Sequence, residues 1–382
     1  MPGRWDWLKD EMGGISKLTQ FSTLMKFLKG RITGPDDITK CSMCPNMCRH
    51  ACPISIVDGK ETTSPAGKSR VGMMIKHEFL PLDDNSLFPL HMCLSCGCCE
   101  TWCPFDFSVS DILRPIKERG IEKGVEFESF RDMATNLENH GIVHGELEEE
   151  TELPQKGDVL YLRGCEFRKD DQDVIEKTVK GLKKMDIDVF VLPDEVCCGI
   201  PAYNVGYSEL FRKLAEDMAR KINNSDAELV ITSCPSCAYA YRELYPEFGS
   251  DIDVDVLHIV EFMERNKELL GKRKATVTFH DPCKLVNGLD RKESMKRVLE
   301  SMGLSVKVPR RHGGKTFCCG YGGSTVSRLN EDLSYEISRE RLNELKQESD
   351  KIITSCPTCK KAFDDDDDVN VYDIGELLYE VL

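Results

Sequence analysis

The cysteines of this chain fall into a spacing that occurs twice, and few folds can satisfy it. Cys165, Cys197-Cys198-Gly199 and Cys234-Pro-Ser-Cys237 are followed by Cys283, Cys318-Cys319-Gly320 and Cys356-Pro-Thr-Cys359. The single cysteine and the adjacent pair are separated by 31 and 34 residues, the pair and the closing CxxC by 35 and 36, and equivalent cysteines lie 118 to 122 positions apart. A period of that length implies two copies of one structural unit. Five thiols in each copy point to a metal site, because soft thiolates select zinc or iron–sulfur clusters. Read from the residues alone, three chemistries stay open: an iron–sulfur cluster, a four-thiolate zinc site with a spare cysteine, and a dithiol or disulfide pair beside a metal. Neighbouring side chains such as Cys197 and Cys198 diverge too far to share one regular cube, but they can reach different irons of a more open cluster. Gly199 and Gly320 are cofactor-binding candidates, since a missing side chain lets the backbone turn closely against an inorganic core.

A different pattern stands nearer the N-terminus. Cys93-x2-Cys96-x2-Cys99-x3-Cys103-Pro104 has the spacing of bacterial ferredoxins that hold two cubane [4Fe–4S] clusters, and Cys41-x2-Cys44-x3-Cys48-x3-Cys52-Pro53 repeats it with one extra residue in the middle interval. Under the crossed rule of such ferredoxins the first cluster takes Cys41, Cys44, Cys48 and Cys103, and the second takes Cys93, Cys96, Cys99 and Cys52. A pair of zinc sites with all-cysteine ligands is the competing reading, but zinc has no use for paired Cys-Pro closures or exchanged ligands. Cys98 is left over and reads as a free cysteine; Trp102 reads as a cover that keeps water from a cluster.

Nineteen cysteines in 382 residues fit either an extracellular disulfide scaffold or a reduced protein that uses thiolates as ligands. The odd count, and a start (Met1-Pro-Gly-Arg-Trp-Asp) without the apolar stretch of a signal peptide, favour the second and a cytoplasmic location. A formal net charge of −15 argues against nucleic acid as a partner. No stretch approaches the roughly 18 consecutive apolar residues of a membrane span, so any membrane link is expected to run through a partner.

Periodicity divides the chain into five parts. Residues 1–37 form an N-terminal extension with an amphipathic helix over 14–30 (Leu18, Phe21, Leu24, Met25, Leu28); residues 38–145 form the ferredoxin-type domain; residues 146–156 are an acidic linker. Residues 157–270 and 271–382 are the two repeated domains. Within the second part, helices are expected near 68–80 and over 108–138, the latter capped around Ser110. The repeated domains alternate short apolar strands (159–162, 187–192, 229–233, 275–279, 306–308, 351–355) with helices (173–184, 207–222, 292–302, 327–347). The fold class is therefore α/β: a helical ferredoxin-like domain followed by two pseudo-symmetric domains with mostly parallel sheets. The Asp364–Asp368 run reads as an exposed loop.

With these motifs in place, the chain from about residue 38 onward resembles the D subunit of heterodisulfide reductase. More broadly it is similar to the cysteine-rich iron–sulfur subunits of glycolate, lactate and anaerobic glycerol-3-phosphate oxidation systems, and His280-Asp281-Pro282-Cys283 resembles a turn common in their second domain. The resemblance implies two CCG domains, each holding a noncubane [4Fe–4S] cluster beside the two cubane ones. The implied ligands, and the implied catalytic residues, are Cys165, Cys197, Cys198, Cys234 and Cys237 in the first domain and Cys283, Cys318, Cys319, Cys356 and Cys359 in the second. The implied reaction is reduction of a disulfide, such as that of coenzyme M and coenzyme B, to two thiols between the paired clusters. The electrons would come from a partner: a flavoprotein, a hydrogenase-linked subunit or a membrane cytochrome. The alternative is an electron-transfer subunit serving a flavin-dependent hydroxy-acid or glycerol-3-phosphate dehydrogenase. A scaffold whose metals only stabilise the fold is a third reading.

Releasing thiols requires protons, and His280 and His258 are the sequence candidates for supplying them, although a structural role fits both better. Lys284, Arg163 and Arg168 are candidates for receiving an anionic substrate group, each against the simpler reading of a solvated surface residue.

Overall fold

A computed structural model describes residues 36–147, 152–364 and 366–379. The helix expected over 14–30 and the centre of the acidic linker lie outside these residues.

The cysteine-rich N-terminal part is a set of helices joined by cysteine-bearing loops: α1 (Asp37–Ser42), α2 (Pro53–Val57), α3 (Pro65–Lys76), α4 (Asp84–His91) and α5 (Val109–Glu122). Ile38, Ile75, Leu87, Leu90, Leu113 and Ile116 make its small core. The start of α3 follows from Ser64, whose hydroxyl accepts from the Gly67 amide at 3.1 Å, and from Pro65 in the first turn. Sequence periodicity assigned no helix to 84–91; the signal there was the capping box of Asp83 with Ser86.

The helix expected over 108–138 is two helices, α5 and α6 (Glu128–His140), separated at Gly124, whose φ of +73° no helix continues through. The cap is Ser108 rather than Ser110, and it makes no side-chain cap bond. Phe130, Met133 and Leu137 turn α6 toward the core of the following sheet. The helix ends at left-handed Gly141, whose carbonyl accepts from the Cys197 amide at 2.7 Å.

Two four-stranded parallel sheets follow. The first has β1 (Val159–Leu162), β2 (Val189–Phe190), β3 (Leu229–Thr232) and β4 (Asp255–His258) in the order β2-β1-β3-β4. The second has β5 (Thr276–Phe279), β6 (Ser305–Lys307), β7 (Lys351–Thr354) and β8 (Asn370–Asp373) in the order β6-β5-β7-β8. Leu160 faces Phe190 on one side and Val230 on the other, and every pairing is parallel. The crossover helices include α7 (Cys165–Asp170), α8 (Gln172–Lys184), α9 (Ile200–Val205) and α10 (Ser208–Asn223) in the first unit. Two departures from expectation are local. The strand over 187–192 shrinks to two residues because the Val191 amide bonds the Pro154 carbonyl instead. The helix over 327–347 breaks at Asn330 (φ −156°), whose side chain caps the second piece by accepting from Leu333 N at 3.1 Å.

The two units exchange their tails. After β4 the helix α12 (Ile259–Arg265; α11 is Pro235–Tyr239) packs on α13 (Ser294–Ser301) of the second unit, and after β8 the 3-10 turn Ile374–Leu378 packs on α8 of the first. A Cβ on Gly181 would lie 2.4 Å from Leu378 Cβ, so this contact needs glycine. One apolar core consequently draws Ile231, Leu257 and Ile259 together with Val277, Ile353 and Ile374. Among the described residues no helix is long and apolar enough to cross a membrane.

Candidate metal centre

The crossed cysteine runs converge on two cavities. One is lined by Cys41, Cys44, Cys48 and Cys103 with Cys99 at its edge; the other by Cys52, Cys93, Cys96 and Cys99. Cys41 Sγ accepts from the Ser69 hydroxyl at 3.2 Å and Cys103 Sγ from the Phe107 amide at 3.5 Å, so donors already aim at sulfur. Burial pushes the Cys48 thiol up to about 12, with Cys41, Cys52, Cys103 and Cys44 adding to the rise. A thiol so shielded as Cys48 does not ionise by itself at neutral pH, whereas a multivalent cation beside it would hold it as a thiolate. The donor set therefore fits iron–sulfur clusters. Trp102 stands edge-on to His50 at 4.6 Å and stays 42% exposed, so it covers the first cavity only in part.

The five-cysteine sets lie where a parallel sheet puts its sites. Cys165 follows β1, Cys197 and Cys198 follow β2, and Cys234 follows β3, all at carboxyl ends of strands around the β1/β3 point from which the chain winds both ways. Cys283, Cys318, Cys319 and Cys356 repeat this around β5 and β7, and α11 and α16 (Pro357–Phe363; α14 is Val326–Leu329 and α15 Glu331–Lys346) carry Cys237 and Cys359. Sγ of Cys318 lies 3.9 Å from that of Cys283, and Sγ of Cys359 lies 3.3 Å from that of Cys319. In the first unit Cys165 neighbours Cys197, and Cys198 neighbours Cys237. None of the 19 cysteines is in a disulfide.

Sequence spacing did not reveal that the cysteine sets touch one another. Cys96 of the ferredoxin-type part interacts with Cys318, and Cys234 interacts with Cys356 across the boundary between the two units. The leftover Cys98 is buried at the first of these junctions, its thiol 3.4 Å from the Thr316 carbonyl and 3.8 Å from Asn287 Nδ2. Thr325 Oγ1 donates to the Cys93 carbonyl at 2.7 Å, completing the seam. The widened turn Lys284–Gly288 after Cys283 delivers Asn287 to it.

Gly199 and Gly320 both adopt left-handed φ, +83° and +91°. The space their missing side chains leave is filled by packing rather than opened to the cysteines: a Cβ would lie 2.7 Å from Phe211 Cδ2 at Gly199 and 2.6 Å from the Ser334 carbonyl at Gly320. At both glycines the close neighbour is a helix.

The proton and anion candidates move as well. His258 is fully buried, with Nε2 between the carbonyls of Ser233 (3.1 Å) and Ser355 (3.0 Å), where it ties the two units together. His280 is fully buried too; Nδ1 accepts from Arg341 Nε at 3.2 Å, and burial, then the Arg341 charge, hold its pKa well below the usual histidine range. Neither reaches solvent. Arg163 and Arg168 are buried rather than solvated and clamp the loop at Glu195, Arg163 pairing its carboxylate at 3.2 Å and Arg168 bonding its carbonyl at 2.7 Å. Lys284 lies over the Tyr239 ring at 4.1 Å. His144, which sequence reasoning passed over, places Nε2 2.8 Å from Glu166 Oε1, within 4.8 Å of the Cys165 thiol and partly exposed. No local motif marked it, since fold alone joins residue 144 to 165.

Comparison with known proteins bears on this arrangement. The family of 4Fe-4S dicluster domains matches residues 37–107, and the cysteine-rich domain family matches 159–242 and 277–364. The B subunit of the fumarate reductase (CoM/CoB) of Methanothermobacter marburgensis is 26% identical over 354 residues, covering 87% of this chain and 70% of that protein. The D subunit of the dihydromethanophenazine:CoB–CoM heterodisulfide reductase of Methanosarcina barkeri is 25% identical over 323 residues, covering 77% of this chain and 78% of the relative. Among solved structures, a hypothetical protein from Helicobacter pylori shares the fold with a TM-score of 0.55 at 10% identity, over 82% of this chain and 67% of that one.

Proposed function

This chain belongs to the iron–sulfur proteins of the heterodisulfide reductase type, which join a 4Fe-4S dicluster domain to two cysteine-rich domains, and we propose that within an oxidoreductase complex it reduces a disulfide to two thiols. Cys41, Cys44, Cys48 and Cys103 would hold one cubane cluster, and Cys52, Cys93, Cys96 and Cys99 the other. Cys165, Cys197, Cys198, Cys234 and Cys237 would hold one noncubane cluster, and Cys283, Cys318, Cys319, Cys356 and Cys359 its twin. Bound clusters supply single electrons in succession, and cleaving a disulfide consumes two.

The observation that carries this reading is the unbroken line of thiols. Cys99 lines both ferredoxin-type cavities, Cys96 meets Cys318, and Cys234 meets Cys356, so the four cysteine sets are joined end to end. A partner would dock at the first ferredoxin-type cavity, where Met47 and Phe105 stand 51% and 58% exposed in its wall. His144, hydrogen-bonded to Glu166 beside Cys165, is the group placed to bring a proton from solvent. The same centres run in the other direction would oxidise two thiols, which is the sense implied by the name of the fumarate reductase relative.

The direct Cys234–Cys356 contact also favours a second reading, in which the chain only relays electrons for a flavin-dependent dehydrogenase. Anaerobic purification with metal counting, followed by addition of the coenzyme M–coenzyme B heterodisulfide to the reduced protein, separates the two. About 16 irons per chain, reoxidation by the disulfide and a new paramagnetic signal on adding thiol support the reductase. Full iron content without reoxidation supports the relay. About eight irons with bound zinc overturns the paired noncubane clusters.

A further inference from the structure

Lys68 belongs to the second ferredoxin-type cavity without being one of its sulfur ligands. It projects from α3, is only 2% exposed, and lines the cavity with Cys52, Cys93, Cys96 and Cys99, all four of which its charge faces. A buried ammonium is costly unless opposite charge compensates it. Among the described residues Lys68 forms no ion pair with a carboxylate; Asp58, the acid that feels its field, is paired with Lys60 at 2.6 Å. Its compensating charge is the thiolate set itself.

The first cavity is built differently. Besides cysteines its walls are Met47, Trp102, Phe105 and Phe107 with small apolar residues, and they include no cation. Arg70, whose field reaches Cys41, is 39% exposed, pairs at 2.7 Å with Glu61, a carboxylate it shares with Arg49, and is bonded to the carbonyls of Ser42 and Cys44. Reduction adds one negative charge to a cluster. A fixed cation without a carboxylate partner in a region of low dielectric stabilises that charge, whereas a solvent-screened, ion-paired arginine does less.

We propose that Lys68 raises the reduction potential of the cluster held by Cys52, Cys93, Cys96 and Cys99, so that electrons arriving at the first cluster collect on the second, beside Cys318. The inference rests on the reading that this cavity holds a [4Fe–4S] cluster. Lys68 acts through the cluster ligands, as a positioning residue for charge rather than a catalytic one. The buried Lys117, whose field reaches Cys93 and whose Nζ donates to the Asn204 carbonyl at 3.0 Å, adds positive charge on the same side.

The test is a redox titration of the full-length, iron-loaded protein monitored by EPR, in the wild type and in Lys68→Met and Lys68→Arg. In Lys68→Met one ferredoxin-type midpoint shifts to lower potential while the other stays, and in Lys68→Arg both stay at wild-type values. Unmoved midpoints in a fully loaded Lys68→Met protein overturn the proposal. If Lys68→Met loses the second signal and Lys68→Arg keeps it at the wild-type midpoint, charge is still what the site requires. Loss of that signal from both variants alike means a packing role and also overturns it. A wild type lacking two ferredoxin-type signals would instead sink the cluster reading, which its iron count reports separately.

Discussion

The side-chain amide of Asn287 donates to the carbonyl oxygen of Cys96 at 2.9 Å, bridging 191 positions of sequence. This bond and that of Thr325 to Cys93 pin the ferredoxin-type loop against the second cysteine-rich unit. Asn287→Ala leaves the Cys96 carbonyl without this partner, at a cost of about 1–2 kcal/mol. The expected outcome is unchanged ferredoxin-type EPR signals with slower reduction of the five-cysteine centres, read by rapid mixing with a donor that reduces the first cluster.

Cys318 lies at the crossing of two sets, against Cys283 and against Cys96. Cys318→Ala is expected to remove about four irons and abolish disulfide turnover while the ferredoxin-type signals persist. Turnover at wild-type rate would place the reaction elsewhere.

Gly199→Ala and Gly320→Ala both force a side chain into left-handed backbone, but their surroundings differ. At Gly199 the obstacle is the Phe211 ring, which can tilt; at Gly320 it is a backbone carbonyl of α15 with Ile337 3.0 Å away, which cannot. Strain of about 1–3 kcal/mol is expected at either site, with Gly320→Ala the more destabilising. Chemical denaturation of the two variants side by side gives the order.

Glu261 joins the two units, accepting from Arg242 at 2.9 Å in its own unit and from Arg291 at 2.6 Å in the next. Burial pushes its pKa up, but Arg291, the His258 amide and Arg242 together outweigh burial and bring it below the usual 4.5. A lowered carboxylate contributes stability above its unfolded value that is lost as pH falls through the folded value. Glu261→Gln is therefore expected to be less stable by a constant amount, roughly 1–2 kcal/mol given the solvent access of both arginines, from pH 7 down to about 4.5. Below 4.5 the wild type approaches the variant. Thermal unfolding across that range measures the difference.

Much of this architecture is legible in the sequence. Strands such as Val159–Leu162 and Leu229–Thr232 are continuous apolar runs, because a parallel sheet covered on both faces demands them. The cysteine runs announced their own convergence, since metal ligation fixes spacing as tightly as geometry does. Single-residue breaks were harder to see. Gly124 and Asn330 each divided a helix that apolar periodicity alone would continue, and the two-residue β2 lost its length to a backbone bond with Pro154.

The residue types and intervals alone determined that thiolates gather in four sets and that two similar sheets carry the larger ones. Only the folded chain decided how the sets meet: Cys96 at Cys318, Cys234 at Cys356, Lys68 sealed beside four sulfurs, and His258 turned into a tie between units. The reason is physical. Ligand spacing and strand burial are short-range demands that leave a periodic mark in the sequence, whereas the docking of one unit on another comes from many weak contacts between distant residues, none of which constrains its neighbours in the chain.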